Sequence, residues 1–276
     1  MQLSLDLDLR WKNRHQVIHG PGDRIDPSEF GVDVIRERDA KAFICEHHYA
    51  GSYPAAHLAV GLFRKPGVDS SALVGVAVFS EGIQSGQAMP RWTGFGREEG
   101  TELGRLVLLP EVKWNGESWF LKRAFNALRQ EKPHVRACLS YSDPVERRTA
   151  TGEMVKPGHF GTVYQASNAA FLGMASPRTL EMLPDGRVIQ PYNFFKYLRR
   201  KQGWQAAEAK IESAGAAVGI VRAGETDRDW VDRVRAALRP IRHPGNLVYA
   251  FGLDGEASKS IKAKGQAFPK QRDWVR

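Results

Sequence analysis

The chain is poor in cysteine. Its two cysteines, Cys45 and Cys138, lie far apart inside apolar runs and form no C-x-x-C or metal-ligand spacing. That excludes a disulfide-stapled scaffold or a zinc ribbon, and both thiols are expected to be reduced core residues. Long apolar runs are missing too. None approaches the roughly 18 residues that a membrane span needs, so no membrane partner is expected. The start, MQLSLDLDLRWKNR, alternates Leu with Asp or Ser and carries no basic-then-apolar leader, so a cytoplasmic protein is expected. Internal repeats and glycine-rich phosphate loops are absent as well.

Acid is the other shortage. The 276 residues hold 31 Asp and Glu against 40 Lys and Arg, a net charge of +9 with a pI near 9.6. From Lys196 to Arg276 there are 17 Lys or Arg and nine Asp or Glu, so nearly the whole excess sits in the last third. A solvated basic face is the plain explanation. A polyanionic partner, nucleic acid above all, is the stronger one. The remaining composition, 42% hydrophobic with 10% aromatic, suits a chain that buries a substantial core.

The pattern of elements predicts an α/β protein with a mixed sheet. A helix over Arg38–His48 is stopped by Gly51 and Pro54. Two β-runs, His57–Phe63 and Ala72–Phe79, flank a Pro66-Gly67 turn and predict an antiparallel hairpin. Ser80–Gly100 reads as a loop. The run Glu102–Leu109 ends at Pro110, and a helix over Glu117–Gln130 follows, with Asn115 as its expected cap. Phe120, Leu121, Ala124, Phe125 and Leu128 fall on one face of it. A strand over Val135–Ser140 then runs into Tyr141-Ser142-Asp143-Pro144, so strand, helix and strand form a crossover with parallel strands.

Beyond it, Thr162–Leu172 opens as a helix, and Pro184-Asp185-Gly186 marks a second hairpin. Gln205–Gly219, rich in Ala and Gly, has little to pack with. Thr226 and Asp229 are spaced to cap a short helix reaching Leu238. One β-run, Asn246–Phe251, precedes a basic tail. Three parts are expected: a main domain over 1–200, a helical insertion over 201–240, and a basic segment over 241–276 that packs back on the core and on DNA.

The chemistry-bearing residues sit at element ends. Ser140, Ser142 and Asp143 fall at the carboxyl end of a strand, where open α/β sheets place ligands. Tyr164, Gln165 and Asn168 open the helix that follows, so strand end and helix start are expected to share a crevice. The loop Pro110–Ser118 precedes a helix N-terminus that attracts anions, but it holds one glycine, and Glu111 and Glu117 oppose a phosphate. Ser118 there is a second cap or a site residue. Arg105 lies inside a β-run and needs a partner. Glu102, three residues away, faces the opposite side of a regular strand, which leaves another acid such as Asp143. His48 and Tyr49 at a helix end offer a general base or metal ligands. Singly, each has a bland reading as a turn, cap or core residue.

Together these residues resemble a known family. His48-Tyr49 before Gly51, ELGRL at Glu102–Leu106, Ser118 opening a helix, SYSD at Ser140–Asp143 and GTVYQASN at Gly161–Asn168 are similar to the bacteriophage Mom family. NLVYAFGLD at Asn246–Asp254 and AFPK at Ala267–Lys270 add to the resemblance, which spans roughly 40–200 and 240–270. It implies a GNAT-like acyltransferase fold, with the unit from Glu102 to Ser142 as cofactor-side core.

It also implies transfer of a carbamoylmethyl-type group to the exocyclic amino group of adenine in DNA, protecting phage DNA from restriction. The implied catalytic set is His48, Tyr49, Arg105, Ser118, Asp143 and Tyr164. Gln165, Asn168, Lys196, Arg199, Arg200 and Lys270 are the implied substrate contacts. Iron held by His48, Tyr49 and Asp143 is conceivable. Acetyl-CoA is less favoured, because the chain lacks the Arg/Gln-x-x-Gly-x-Gly/Ala pattern of acetyltransferases.

The implied partner is double-stranded DNA with the target adenine flipped out against Tyr164 or Tyr49. A homodimer is among the arrangements left open. In this reading Asp143 or His48 takes a proton as the adenine nitrogen attacks a carbon donor, and Asp143→Ala abolishes the adduct without unfolding the protein. The rivals are an acyl-CoA-dependent N-acyltransferase on a protein or small-molecule amine, and a non-catalytic DNA-binding protein.

Overall fold

The computed structural model describes residues 23–48, 51–65, 72–81, 85–215 and 219–270, with the backbone of 10–12 and 15–17. The chain divides into two compact units. The first joins Met1–Ser142, Phe160–Gly173 and Leu247–Arg276, and the second joins Asp143–His159 and Met174–Asn246. The α/β class with a mixed sheet is the class expected.

The first unit begins with an antiparallel pair, β1 (Arg10–Lys12) and β2 (His15–Val17). Its main sheet has seven strands: β3 (Phe30–Val34), β4 (Ala56–Arg64), β5 (Ala72–Ser80), β6 (Gly100–Leu108), β7 (Ala137–Ser142), β10 (Ala170–Met174) and β14 (Leu247–Gly252). They lie in the order β3-β4-β5-β6-β7-β14-β10. The predicted hairpin is β4–β5, antiparallel. The predicted crossover is present too: β6 and β7 are parallel and are joined by α3 (Gly116–Glu131).

Neighbouring residues of a strand point to opposite faces, and β5 shows what each face buries. Val76 and Val78 meet Ala40, Phe43 and Ile44 of α1 (Glu37–His47), whereas Phe79 joins Phe120, Leu121, Ala124 and Leu128 of α3. Truncating a fully buried anchor such as Phe120 to alanine costs about 3–5 kcal/mol.

Several local expectations need correction. The segment read as a loop contains α2 (Ser85–Thr93), anchored by buried Met89; a Cβ on Gly100 would come within 2.4 Å of that side chain. The helix expected from Thr162 is only α4 (Thr162–Ala166), because Asn168 adopts φ +64° and turns the chain into β10. The basic tail contains α8 (Gly255–Ala263), whose first turn is capped by Asp254 accepting from the Ala257 amide at 2.7 Å. Asn115 precedes α3 in a left-handed conformation and its side chain caps nothing. Cys138 is buried as expected, but Cys45 is exposed, beside rather than on the apolar stripe of α1.

The second unit holds an antiparallel pair, β8 (Arg147–Arg148) with β9 (Met154–Lys156), and an antiparallel three-stranded sheet. The sheet places β11 (Arg178–Met182) between β12 (Val188–Ile189) and β13 (Arg239–His243). The β11–β12 hairpin is the one predicted at Pro184-Asp185-Gly186, with Gly186 at φ +82°. Around a core of Leu183, Ile189, Phe194, Trp230 and Val234 pack α5 (Pro191–Leu198), α6 (Trp204–Glu212) and α7 (Asp227–Ala236). The Thr226–Asp229 capping box is formed. The Ala-rich stretch is not idle: it makes α6, and Ile211 is fully buried in this core. No described helix is long and apolar enough to cross a membrane.

Candidate active site

The parallel pairing of β6 and β7 runs only from Gly100↔Ala137 to Glu102↔Leu139. Both strands continue past that point, so they part. Here the alternation of β6 is also broken. Phe79 pairs with Leu103 and Val78 with Arg105, which leaves Gly104 as a bulge with no partner on β5. The bulge resets the faces. Glu102 lies opposite Ser80 and Arg105 opposite Val78, and these two β5 residues share a face. Glu102 and Arg105 therefore share one too, contrary to the regular-strand expectation. Tyr141, two residues beyond Leu139, joins them on the face that α1 covers.

The segment after α1 is clasped against this point. Arg105 donates to the Ser52 carbonyl and hydroxyl, each at 3.1 Å, and to the Gly104 carbonyl at 2.6 Å. A Cβ on Gly104 would lie 2.6 Å from the Ser80 hydroxyl and 3.2 Å from Pro54, so a bare backbone is needed for the segment to approach. His48 ends α1, and its carbonyl accepts from the Gly51 amide at 2.9 Å. His48, Arg105 and Ser52 thus belong to one corner of the first unit. Tyr49 lies outside the described residues.

The electrostatics give each group a different task. Burial pushes the Glu102 carboxyl above its ordinary pKa, and the positive charge of Arg105 offsets only part of that. Burial, aided by Glu102, pushes the Tyr141 phenol up to about 12, against the opposing charge of Arg91. At neutral pH Tyr141 is therefore a neutral donor. A half-buried carboxylate whose pKa is raised by burial is able to act as a general base. Glu102 and Tyr141 were missed from the sequence. The glycine inside the ELGRL run, a sign of a bulge within a strand, was the available signal.

His57 was passed over as well. Its Nε2 lies 2.8 Å from the Thr101 hydroxyl, while its buried Nδ1 has no partner among the described residues. Burial lowers its pKa, so the ring is neutral.

The other expected residues of this unit are placed as follows. Ser118 is half-buried, and its hydroxyl donates to the Asn115 carbonyl at 3.2 Å. Tyr164 is 8% exposed, its ring 5.4 Å from that of Tyr249 and 6.2 Å from that of Phe251, so it is a core ring with no open face for a base. Gln165 donates to the Phe160 carbonyl at 2.9 Å and to the Tyr249 hydroxyl at 3.2 Å, which makes it a brace. Asn168 is exposed at the turn after α4, and Lys270 is exposed. The buried Ser140 and Ser142 lie opposite Tyr249 and Leu247, on the core face.

Asp143 opens the second unit and is a hub there. One carboxylate oxygen accepts from the Val145 amide at 3.0 Å and lies 2.8 Å from His243 Nε2. The other is bonded by Arg147 and lies 3.4 Å from Lys156 Nζ. Because His243 Nδ1 accepts from the Gly245 amide at 3.1 Å, its Nε2 carries the proton that Asp143 receives. Burial pushes the Asp143 pKa up, but the His243 hydrogen bond and the Lys156 and Arg147 charges outweigh it. The carboxyl ends well below its usual range.

An acid held so firmly ionised is a poor proton acceptor, which corrects the role expected of Asp143. Of the expected substrate contacts, Lys196 lies 5.3 Å from the Tyr192 ring. Arg199 pairs with Asp227 at 2.7 Å, and Arg200 stacks over Trp204 at 3.9 Å.

The profile of the Mom protein family matches residues 29–270, nearly the whole described chain. The chain belongs to the Mom protein family. No curated protein matches it. Among solved structures it is similar to a tandem GNAT protein from the clavulanic acid biosynthesis pathway, solved without AcCoA. The TM-score is 0.38 at 8% identity, covering 82% of this chain and 99% of that one. It is also similar to malonyl-CoA decarboxylase from Rhodopseudomonas palustris, with a TM-score of 0.34 at 10% identity, covering 86% of this chain and 59% of that one. Both likenesses are too shallow to bear on chemistry.

Iron does not fit the residues expected to hold it in this Mom-family chain. Asp143 spends both oxygens on His243, Val145, Arg147 and Lys156. Among the described residues no group of three or more His, Cys, Asp or Glu is arranged to hold a metal ion.

Proposed function

We propose that this protein is a transferase that modifies adenine in DNA, with Glu102 as the general base. The observation that carries the reading is the half-buried Glu102 carboxylate, raised in pKa, beside Arg105 and Tyr141 where two parallel strands part. Membership of the Mom protein family supports the substrate class, and so does the net charge of +9, since phosphate contacts dominate affinity for DNA.

The exocyclic nitrogen of adenine is a weak nucleophile. As it bonds to an electrophilic carbon of the donor, its proton passes to Glu102, and the donor's bond to its leaving group breaks with the electron pair. General-base help of this kind contributes about 10²–10⁴ in rate. Tyr141 donates a hydrogen bond into the same space, and Arg105 holds the segment that carries His48. A base enzyme must take its target out of the stack, so the adenine is flipped. Lys196, Arg199, Arg200 and Lys270 are proposed to meet the phosphates. The transferred group is of the carbamoylmethyl type, and the modification shields phage DNA from restriction in the host cytoplasm.

Nucleoside mass spectrometry of plasmid from cells expressing the protein tests this. A new mass on deoxyadenosine is expected, and its loss in Glu102→Gln. Unmodified deoxyadenosine in cells making the wild-type protein would overturn the reading. An acyl-CoA-dependent N-acyltransferase is favoured by one observation: beyond Glu102 and Leu139 the two strands no longer pair with each other, and an extended amide-bearing donor can pair between them. Calorimetric binding of acetyl-CoA with no nucleoside adduct would select it.

A further inference from the structure

The first unit contains a concavity that none of Glu102, Arg105 and Tyr141 lines. It is walled by α3, the turn after α4, the end of β14 and α8, and encloses about 350 Å³. That volume falls within the ~300–1,000 Å³ typical of small-molecule sites. Its walls carry three cations, Lys122, Arg129 and Lys262, and no acid. None of the three has an ion-pair partner among the described residues. Some other cations of this unit do find acids: Arg97 pairs with Glu81 at 3.1 Å, and Arg136 reaches Asp254 at 2.8 Å and Glu256 at 2.7 Å.

The helical spacing brings these groups together. Lys122, Asn126 and Arg129 follow one another at i, i+4 and i+7 along α3, so they form one row. Ser258 and Lys262, four apart on α8, form a second. The exposed Asn168 amide stands at the turn. Phe125 and Phe251, their rings 4.8 Å apart, give the lining its large apolar surface. Like charges in a concavity with low-dielectric walls focus a positive potential, and nothing described in the wall neutralises it.

We propose that this cavity binds a small organic phosphate, its phosphoryl groups held by Lys122, Arg129 and Lys262 and its body resting on Phe125 and Phe251. The asparagine amides add directional donors. A phosphate of the DNA backbone has the same charge, but a duplex presents it on a convex surface, whereas this site is a recess partly lined by Phe125 and Phe251. The inference goes beyond the adenine-modifying reading and does not depend on Glu102.

Calorimetry on the full chain tests it, with inorganic pyrophosphate, adenosine 5′-diphosphate and a short DNA duplex as probes. Saturable binding of the diphosphate is expected, tighter than that of pyrophosphate. Lys122→Gln with Arg129→Gln should weaken it at least tenfold while duplex affinity and melting temperature hold. Lys262→Gln, on a different helix, should weaken it independently, and Glu102→Gln should leave it unchanged. Absence of saturable diphosphate binding would overturn the proposal. So would unchanged affinity in both variants, or a loss of duplex binding with the diphosphate unaffected, which would assign the cations to DNA.

Discussion

Asp143→Ala removes an acid on which Lys156, Arg147 and His243 converge inside the second unit. The Lys156 side chain is 3% exposed and His243 fully buried, so neither can turn to water when the carboxylate goes. Lys156 keeps the Asp143 and Val145 carbonyls, each at 2.9 Å, which satisfy its protons but not its charge. Breaking a buried pair by deleting one partner costs about 3–5 kcal/mol. At about 1.36 kcal/mol per tenfold, amides of α7 that exchange by opening of this unit should exchange roughly 150- to 5,000-fold faster.

The deficit is pH-dependent. Burial, only partly countered by Asp143, already holds the Lys156 pKa down at about 8, and it falls further without the acid. A depressed lysine penalises folding increasingly as pH drops below its ordinary value of about 10.4, until it reaches its folded value. The variant should therefore recover part of its loss at pH 9–10. Wild type behaves oppositely at the acid end: the Asp143 pKa is lowered by folding, so its stabilisation is present above the ordinary carboxylate range and lost only in strong acid. Hydrogen exchange read by mass spectrometry on peptides of α7, at pH 7 and pH 9, checks the size of the variant's deficit and its recovery. Protection within threefold of wild type at pH 7 would refute the account of Asp143 as a structural hub.

Three further outcomes follow from the first unit. Glu102→Gln should melt higher than wild type at pH 7 but equally near pH 4, because folding raises the Glu102 pKa and its ionisation is penalised above that point; the same raised pKa places the acid limb of wild-type activity above the ordinary carboxylate range. Gly104→Ala pushes a Cβ towards Ser80 and Pro54 and should cost about 1–3 kcal/mol in urea unfolding, with a larger fall in adduct yield than Ala substitution of an exposed residue. Gly161→Ala combines a left-handed backbone at φ +71° with a Cβ 2.4 Å from the Tyr249 ring, so about 2–5 kcal/mol is expected, from ~1–2 for the backbone and ~1–3 for overpacking.

What could be read from the sequence was whatever obeys a local period. The β4–β5 hairpin, α3, the β11–β12 turn and the capped α7 all follow apolar spacing or turn chemistry within a dozen residues. Two helices hid behind their composition: α2 contains Gly86 and Pro90, and α8 has no long apolar stripe, because its docking is made by only two buried residues, Ala257 and Ile261. Val145 and Arg147 are near Asp143 in sequence, but its buried partner His243 lies 100 positions away, out of local reach.

The motifs that carry the family resemblance divide by what their glycines do. In GTVYQASN, Gly161 admits the Tyr249 ring, and the Tyr164 ring packs behind it. In NLVYAFGLD, a Cβ on Gly252 would meet the Ser258 amide at 2.1 Å, so its absence lets α8 dock where Asp254 caps it. Those two strings build a frame. In ELGRL, Gly104 instead breaks the alternation, turns Glu102 to the side of Arg105 and lets the Ser52–Pro54 segment close over them. A charged residue inside a strand can be assigned a face only after the nearest glycine has been accounted for, and here that accounting moves the proposed base from Asp143 to Glu102.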